Sequence, residues 1–178
     1  HGFSNPEFIY TPSQIDKNKI NVVISGTNYR DTELMLDIIS FCEERRDDIV
    51  FHLLGQSSSV KSMLKGKKNA ICYQRLPDDE YYSIISDCDY SFLPLTFATA
   101  NNALLEAEFL NTVGIYPNIS GIKDYAAPEP YNIFYDSKDN LIYLFERLSH
   151  HRKECGLGIY ARQFLWDNIY IQLLDYYN

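Results

Sequence analysis

Short apolar runs alternate along the chain with segments whose apolar residues recur at helical spacing. Residues 20–25 (INVVIS) form a β-branched apolar run. In the TELMLDIISFCEER that follows, Leu34, Ile38, Phe41 and Cys42 recur at helical spacing, so a strand and then a helix are predicted. DDIVFHLLG (47–55) reads as the next strand, SSVKSMLKG (58–66) as a short helix stopped by glycine, and NAICYQ (69–74) as a third strand. LPDDEYYSIISDCD carries acids in the first turn of an amphipathic helix. YSFLPL (90–95) is then a strand, NNALLEAEFLN (101–111) a helix and TVGIY (112–116) a strand. The last third predicts an edge strand over YNIFYD (131–136) and a helix over SKDNLIYLFERLSHH with Ser137 as its N-cap. It closes with one long helix over YARQFLWDNIYIQLLDYY (160–177), with Trp166, Tyr170 and Leu173 on its core face. No repeat or low-complexity tract interrupts the rhythm.

Strands alternating with helices imply parallel pairing and right-handed crossovers, hence an α/β fold built on a Rossmann-like doubly wound parallel sheet. Ligands of such sheets lie beyond the carboxyl ends of the strands. The loops to watch are therefore 25–30, 55–59, 74–76, 94–102 and 120–122, all of small or polar residues.

Composition narrows what those loops can hold. With 178 residues, 46% of them hydrophobic, the chain buries a real core, and a net charge of −8 speaks against a nucleic-acid partner, so any phosphate must be held locally. Cys42, Cys72, Cys88 and Cys155 show no CxxC spacing, and His1, His52, His150 and His151 do not pair with them as metal ligands. Reduced, buried thiols and no metal site are expected. His52, inside a strand, reads as a core histidine, and the HHRKE run as a solvated loop rather than a lipid contact. No apolar run approaches the roughly 20 residues of a membrane span, and no signal-peptide pattern opens the chain, which suggests a cytoplasmic location.

The segment TFATANNALLEAEFLN carries the candidate chemistry. Asn101 or Asn102 can cap its helix, and the first-turn N–H groups around Asn102, Ala103 and Leu104 suit phosphate oxygens. Glu106 would repel a phosphate placed on it, so it is suited to accept hydrogen bonds from hydroxyls such as a ribose diol; the alternative is a solvated glutamate complementing the helix dipole. Asp87 and Asp89 are spaced as Asp-x-Asp but precede a strand, which makes them a helix-to-strand turn rather than a cation site.

Together SDCDYSFLPLTFATANNALLEAEFLNTVGIYPNISGIKDY, the opening HGFSNPEF, FHLLG and the closing FLWDNIYIQLLDYY resemble the C-terminal, nucleotide-sugar-binding domain of retaining GT-B glycosyltransferases of family 4 (glycosyl transferases group 1). By that resemblance Glu106 matches the second glutamate of the Glu-x7-Glu motif, which holds the donor ribose. The first glutamate is replaced by Ala98. Gly26 matches the glycine after the first strand, and Thr27 stands where the family has an arginine for the diphosphate. Arg30 becomes the nearest cation for that role, its alternative being an ordinary arginine at the start of the first helix. Arg75 and Leu76 fall where the base is contacted, Thr99, Asn101, Asn102, Ala103 and Leu104 where the phosphates approach, and Ser120 and Gly121 at the turn near the sugar.

The resemblance implies residues 1–18 as the end of an interdomain linker, 19–158 as the donor-binding domain and 159–178 as a helix packing back toward an absent N-terminal domain. It further implies hexosyl transfer from a nucleotide diphosphate sugar, most often a UDP-sugar, with retention and without a metal or other cofactor. The acceptor would be a glycan or lipid-linked saccharide met through the other domain, in surface polysaccharide or O-antigen assembly, and the fragment alone would be inactive. The full protein would be cytoplasmic or peripheral on the inner face of the plasma membrane, any membrane contact lying on the missing domain. Ala98 and Thr27 keep open an inactive binding or scaffold module, and a nucleotide-sugar epimerase is the remaining alternative.

Overall fold

The computed structural model describes residues 3–97, 101–151 and 156–177. Strands β1 (Ile20–Ser25), β2 (Ile49–Leu54), β3 (Ala70–Cys72), β4 (Tyr90–Phe92), β5 (Val113–Pro117) and β6 (Ile133–Tyr135) form one sheet in the order β3-β2-β1-β4-β5-β6. Every neighbouring pair is parallel. All six positions of β1 are buried, as a parallel strand covered on both faces requires, and this is why Val22, Val23 and Ile24 are apolar in succession rather than in alternation.

Helices α1 (Thr32–Arg45), α2 (Ser58–Met63) and α5 (Lys138–Arg147) cover one face, where Met35, Ile38, Ile39, Val60, Leu141 and Phe145 meet inward residues of β1, β2, β4 and β5. On the other face α3 (Asp78–Asp87) packs against Val23 and Leu54, and α4 (Asn102–Phe109) against Leu93, Leu95 and Tyr116. Ser137 caps α5 as predicted, accepting from Asn140 N, and Asp31 caps α1 by accepting from Leu34 N. β4 stops at Phe92, short of the predicted 95. Pro94 has no N–H to continue a ladder, and Leu95 instead bridges to Arg30.

The single terminal helix predicted over 160–177 is divided into α6 (Gly156–Ala161), a 3₁₀ turn (Arg162–Phe164) and α7 (Trp166–Tyr177). The break lies at Leu165, whose backbone is extended (φ −65°, ψ 139°). There the N-terminal segment inserts: Phe3 N donates to Phe164 O and Trp166 N donates to Phe3 O, while the side chains of Phe3 and Leu165 enter the core. Helical periodicity in one segment cannot register a competing backbone from the far end of the chain. Trp166, Tyr170 and Leu173 are exposed, at 51%, 64% and 51%, and do not form the core predicted for them.

Cys42 and Cys88 are buried and Cys72 partly so, all as free thiols, with burial pushing Cys42 up to about 12. Cys155 lies outside the described residues. His52 is 1% exposed, between Asn21 Oδ1 on Nε2 and the Tyr73 hydroxyl on Nδ1, and burial holds it down at about 4, neutral at pH 7. Asp87 ties down the segment ahead of β1: it accepts from the Tyr10 hydroxyl and from Ser13 N and Oγ, and pairs with Lys17. Asp89 receives Asn21 N at the amino end of β4.

Glu108 is fully buried on α4, with its carboxylate accepting from Ala127 N (3.0 Å) and Asn132 Nδ2 (2.5 Å). Asn132 in turn receives Gly114 N, so one carboxylate joins α4, β5 and the 126–132 loop. Replacing Glu108 with alanine strands these donors, and urea denaturation should show a loss of about 2–4 kcal/mol. Burial raises the Glu108 carboxyl from its ordinary 4.5 to about 8. A raised folded-state value gives a contribution fully present below 4.5 that is lost as pH rises toward about 8, so the stability of the native protein relative to Glu108→Gln should fall across that window.

Candidate functional site

In this sheet β1 and β4 are neighbours, yet the helices that follow them, α1 and α4, lie on opposite faces. The loops leaving the two strands must therefore part and open a crevice at the carboxyl edge. They are nevertheless tied to each other. Asp31 N donates to Pro94 O (2.7 Å), Thr96 N donates to Tyr29 O (2.8 Å), and the Tyr29 and Phe97 rings stand 5.8 Å apart.

Gly26 starts the first loop with φ +71°, and its N–H is taken by Leu54 O. A Cβ there would meet Arg30 Nη2 at 3.4 Å, an ordinary contact, so it is the left-handed turn that asks for glycine. The Arg30 guanidinium donates to Ser25 O (2.8 Å, Nη2) and Asn28 O (2.9 Å, Nη1), while Nε is buried with no partner among the described residues. Burial lowers Arg30 to about 10, opposed by the nearby Tyr81 and Tyr116 hydroxyls, so it stays protonated at neutral pH. A guanidinium has five N–H donors, and the two carbonyl bonds leave donors for an anion.

Across the crevice, Asn101 is the N-cap residue of α4 with extended backbone, but its side chain makes no capping bond. No acid stands in the first turn, which keeps that end of the helix positive. Leu104 is core, and its N–H is directed to Asn101 O; Asn102 is exposed and Ala103 half-buried. Glu106, in the second turn, is half-buried, and its Oε2 accepts from the Tyr81 hydroxyl at 3.1 Å. Burial pushes this carboxyl up to about 7, against the Tyr81 hydrogen bond and with a further contribution from Asp78. Glu106 is thus partly withdrawn from solvent and bonded to the neighbouring helix.

Glu106 and Arg30 are joined through Tyr81, which bonds the first and is a charge neighbour of the second. Thr27 is exposed on the same loop. Leu76 packs against the cluster around Ile84 and Ile85, as Tyr81 and Tyr82 do, and lines a cavity of ≈ 520 Å³ with Thr11, Ser13 and Tyr73, whereas Arg75 is exposed. Ser120 is exposed beyond β5, and Gly121 turns the chain with φ +89°. Ala98 and Thr99 lie outside the described residues. Tyr81 was not among the residues predicted, because its meeting with Glu106 depends on how α3 and α4 pack. Among the described residues no group of His, Cys, Asp or Glu could hold a metal ion, and no helix is long and apolar enough to cross a membrane.

No protein-family model matches the sequence, and no curated protein matches it. Solved structures match the fold. The lipopolysaccharide outer core galactosyltransferase WaaB is similar with a TM-score of 0.72 at 14% identity, over 98% of this chain and 53% of that one. TarM matches with a TM-score of 0.70 at 11% identity, over 96% and 38%. Anabaena HepE, solved in complex with UDP and glucose, matches with a TM-score of 0.68 at 10% identity, over 89% and 48%. The chain therefore spans about half or less of the length of these structures. At such identities the likeness shows the fold alone, a Rossmann-like parallel sheet shared with these structures.

The carboxyl of Glu106 should titrate near pH 7 in the folded protein, read by ¹³C NMR of the labelled glutamates. A midpoint in the ordinary carboxylate range would place it in free solvent and remove it from the crevice.

Proposed function

We propose that the chain is the donor-binding half of a retaining glycosyltransferase that takes a nucleotide diphosphate sugar, with UDP as the nucleotide. The observation that carries this reading is that the Tyr81 hydroxyl bonds the half-buried Glu106 carboxyl and lies near Arg30, whose Nε has no partner among the described residues. HepE, a fold neighbour, was solved with UDP and glucose, which supports the choice of nucleotide.

In this reading Glu106 accepts from the ribose hydroxyls, and Arg30 with the first-turn amides of α4 faces the diphosphate. As the glycosidic bond breaks, negative charge grows on the leaving diphosphate, and donors already fixed there stabilise it without reorganising. Gly26 lets the phosphates approach the backbone, Leu76 borders the base, and Ser120 with Gly121 borders the sugar. No metal or other cofactor takes part in this scheme. The acceptor, a glycan or lipid-linked saccharide of surface polysaccharide such as O-antigen, binds a second domain that the half-length coverage of the neighbours leaves room for. The exposed residues of α7 belong against that domain. The protein works in the cytoplasm or at the inner face of the plasma membrane.

A second reading, a binding or scaffold module without transferase activity, is favoured by Thr27 in place of an arginine and by Arg30 being turned back on the carbonyls of Ser25 and Asn28. In that case donor binding survives and transfer does not.

Calorimetric titration of the protein with UDP, GDP and their sugars, with and without Mg²⁺, should show saturable binding of one nucleotide, insensitive to the metal. Glu106→Ala should weaken it by about 10- to 100-fold, the worth of hydrogen bonds to a charged acceptor. A fold-preserving Glu106→Ala that binds as tightly as the native protein would remove Glu106 from the site. Transfer of labelled sugar to an acceptor by the full-length protein separates the enzyme from the scaffold.

A further inference from the structure

Tyr29, in the turn after β1, has φ +54°. In that left-handed region Cβ crowds the following carbonyl, so glycine and asparagine take it readily and tyrosine rarely does. Asn28 stands next to it and would carry such a turn at less cost, yet the left-handed residue is the tyrosine. Its carbonyl is held from the opposite loop by Thr96 N (2.8 Å) and Thr96 Oγ1 (3.2 Å), and Arg30 bridges to Leu95 beside it. Strained backbone of this kind persists where its surroundings fix it, and it collects at ligand sites.

The ring presented in this way is not spent on the core. Tyr29 is 55% exposed and Phe97 59%, with centroids 5.8 Å apart and planes at 57°. Among the described residues no other ring pair has both members exposed. The Tyr29 hydroxyl and the exposed side chains of Thr27 and Asn28 make no hydrogen bond among the described residues. Residues 25–30 and 94–97 contain no carboxylate, and the Arg30 guanidinium is turned back on Ser25 O and Asn28 O. The surface therefore offers two ring faces beside neutral donors and acceptors. A sugar ring has the matching parts: a face of C–H bonds with partial positive charge for the negative face of an aromatic ring, and a rim of hydroxyls for the amide and hydroxyl groups.

We propose that Tyr29 and Phe97 form a stacking step that takes the face of a neutral sugar ring at the mouth of the crevice, with Thr27 and Asn28 bonding its hydroxyls. This rests on the reading of the crevice as a nucleotide-sugar site and adds a saccharide contact separate from Glu106, Arg30 and the 120–121 turn. The sugar is carried either by the donor nucleotide or by an incoming saccharide. The clamp on the Tyr29 carbonyl fixes the step before a ligand arrives, which keeps the ordering cost of binding small.

The test is NMR titration and saturation-transfer difference NMR with UDP, with UDP-glucose, UDP-galactose and UDP-N-acetylglucosamine, and with the methyl glycosides of the same sugars. Native protein is compared with Tyr29→Gly, Phe97→Ala and a control at an exposed ring of α5, Tyr143→Ala. Tyr29→Gly and Phe97→Ala should each weaken at least one sugar ligand by about three- to tenfold and leave UDP unchanged, and Tyr143→Ala should change nothing. Tyr29→Gly should hold or raise the thermal midpoint, because glycine takes the left-handed backbone without strain. A fall of more than about 5 °C would make the tyrosine a packing residue and overturn the proposal. Equal weakening of UDP and its sugars, or no weakening of any sugar, would also overturn it. A glycoside still held at the rings under saturating UDP-sugar assigns the step to an incoming saccharide, and sensitivity confined to the UDP-sugars assigns it to the donor. If UDP binds and no sugar responds, only this inference fails. If the glycosides respond and UDP does not bind, the donor-site reading fails and the step stands. If no ligand binds, both fail.

Discussion

The parallel pairing of β1 with β4 is the constraint on which the rest of the structure depends. The two strands share only the Val22–Tyr90 and Val23–Ser91 register pairs, yet they stand at the point where the winding of the sheet reverses. Each strand then hands its chain to a helix on a different face, and the crevice between the departing loops follows from connectivity alone. What the sequence adds is the content of the loops: a glycine and a returning arginine on one side, an uncapped helix and a carboxylate on the other. The bonds from Asp31 to Pro94 and from Thr96 to Tyr29 keep the two sides in one arrangement.

Electrostatics at this edge is set by burial more than by net charge. The chain carries −8, yet its crevice holds a partly desolvated guanidinium and a carboxyl raised to about 7. Removing water strengthens each interaction that remains, which is how a single arginine and a helix end can serve an anion in an acidic protein. Tyr81 links the two groups, and α3 that bears it runs on to Asp87, the anchor of the N-terminal segment. A movement of that segment against α3 would be felt at Glu106 through Phe8, Tyr82 and Tyr81, an unbroken chain of ring contacts and one hydrogen bond.

Much of the fold was legible in the sequence because parallel strands and amphipathic helices each obey one local rule. The run INVVIS, the edge strand Ile133–Tyr135 and the Ser137 cap all follow from neighbours a few residues away. What was not legible depended on distant segments. The break at Leu165 needs Phe3, and the exposure of Trp166, Tyr170 and Leu173 shows that helical spacing marks an apolar face without saying what covers it. In the site, Glu106 and Gly26 could be picked out from their positions after strands. Tyr81 and Glu108 could not, since an acid or tyrosine on a helix becomes a site or core residue only through packing against another element.

The account stands or falls on whether a nucleoside diphosphate occupies the crevice between β1 and β4, and amide chemical-shift mapping of the protein titrated with UDP tests this most directly. The account predicts shifts concentrated at Gly26 to Arg30, Tyr81 and Asn102 to Glu106, with little change around Thr11 to Ser13 or along α5. Shifts confined to another face of the sheet, with Glu106 and Arg30 unmoved at saturation, would contradict it.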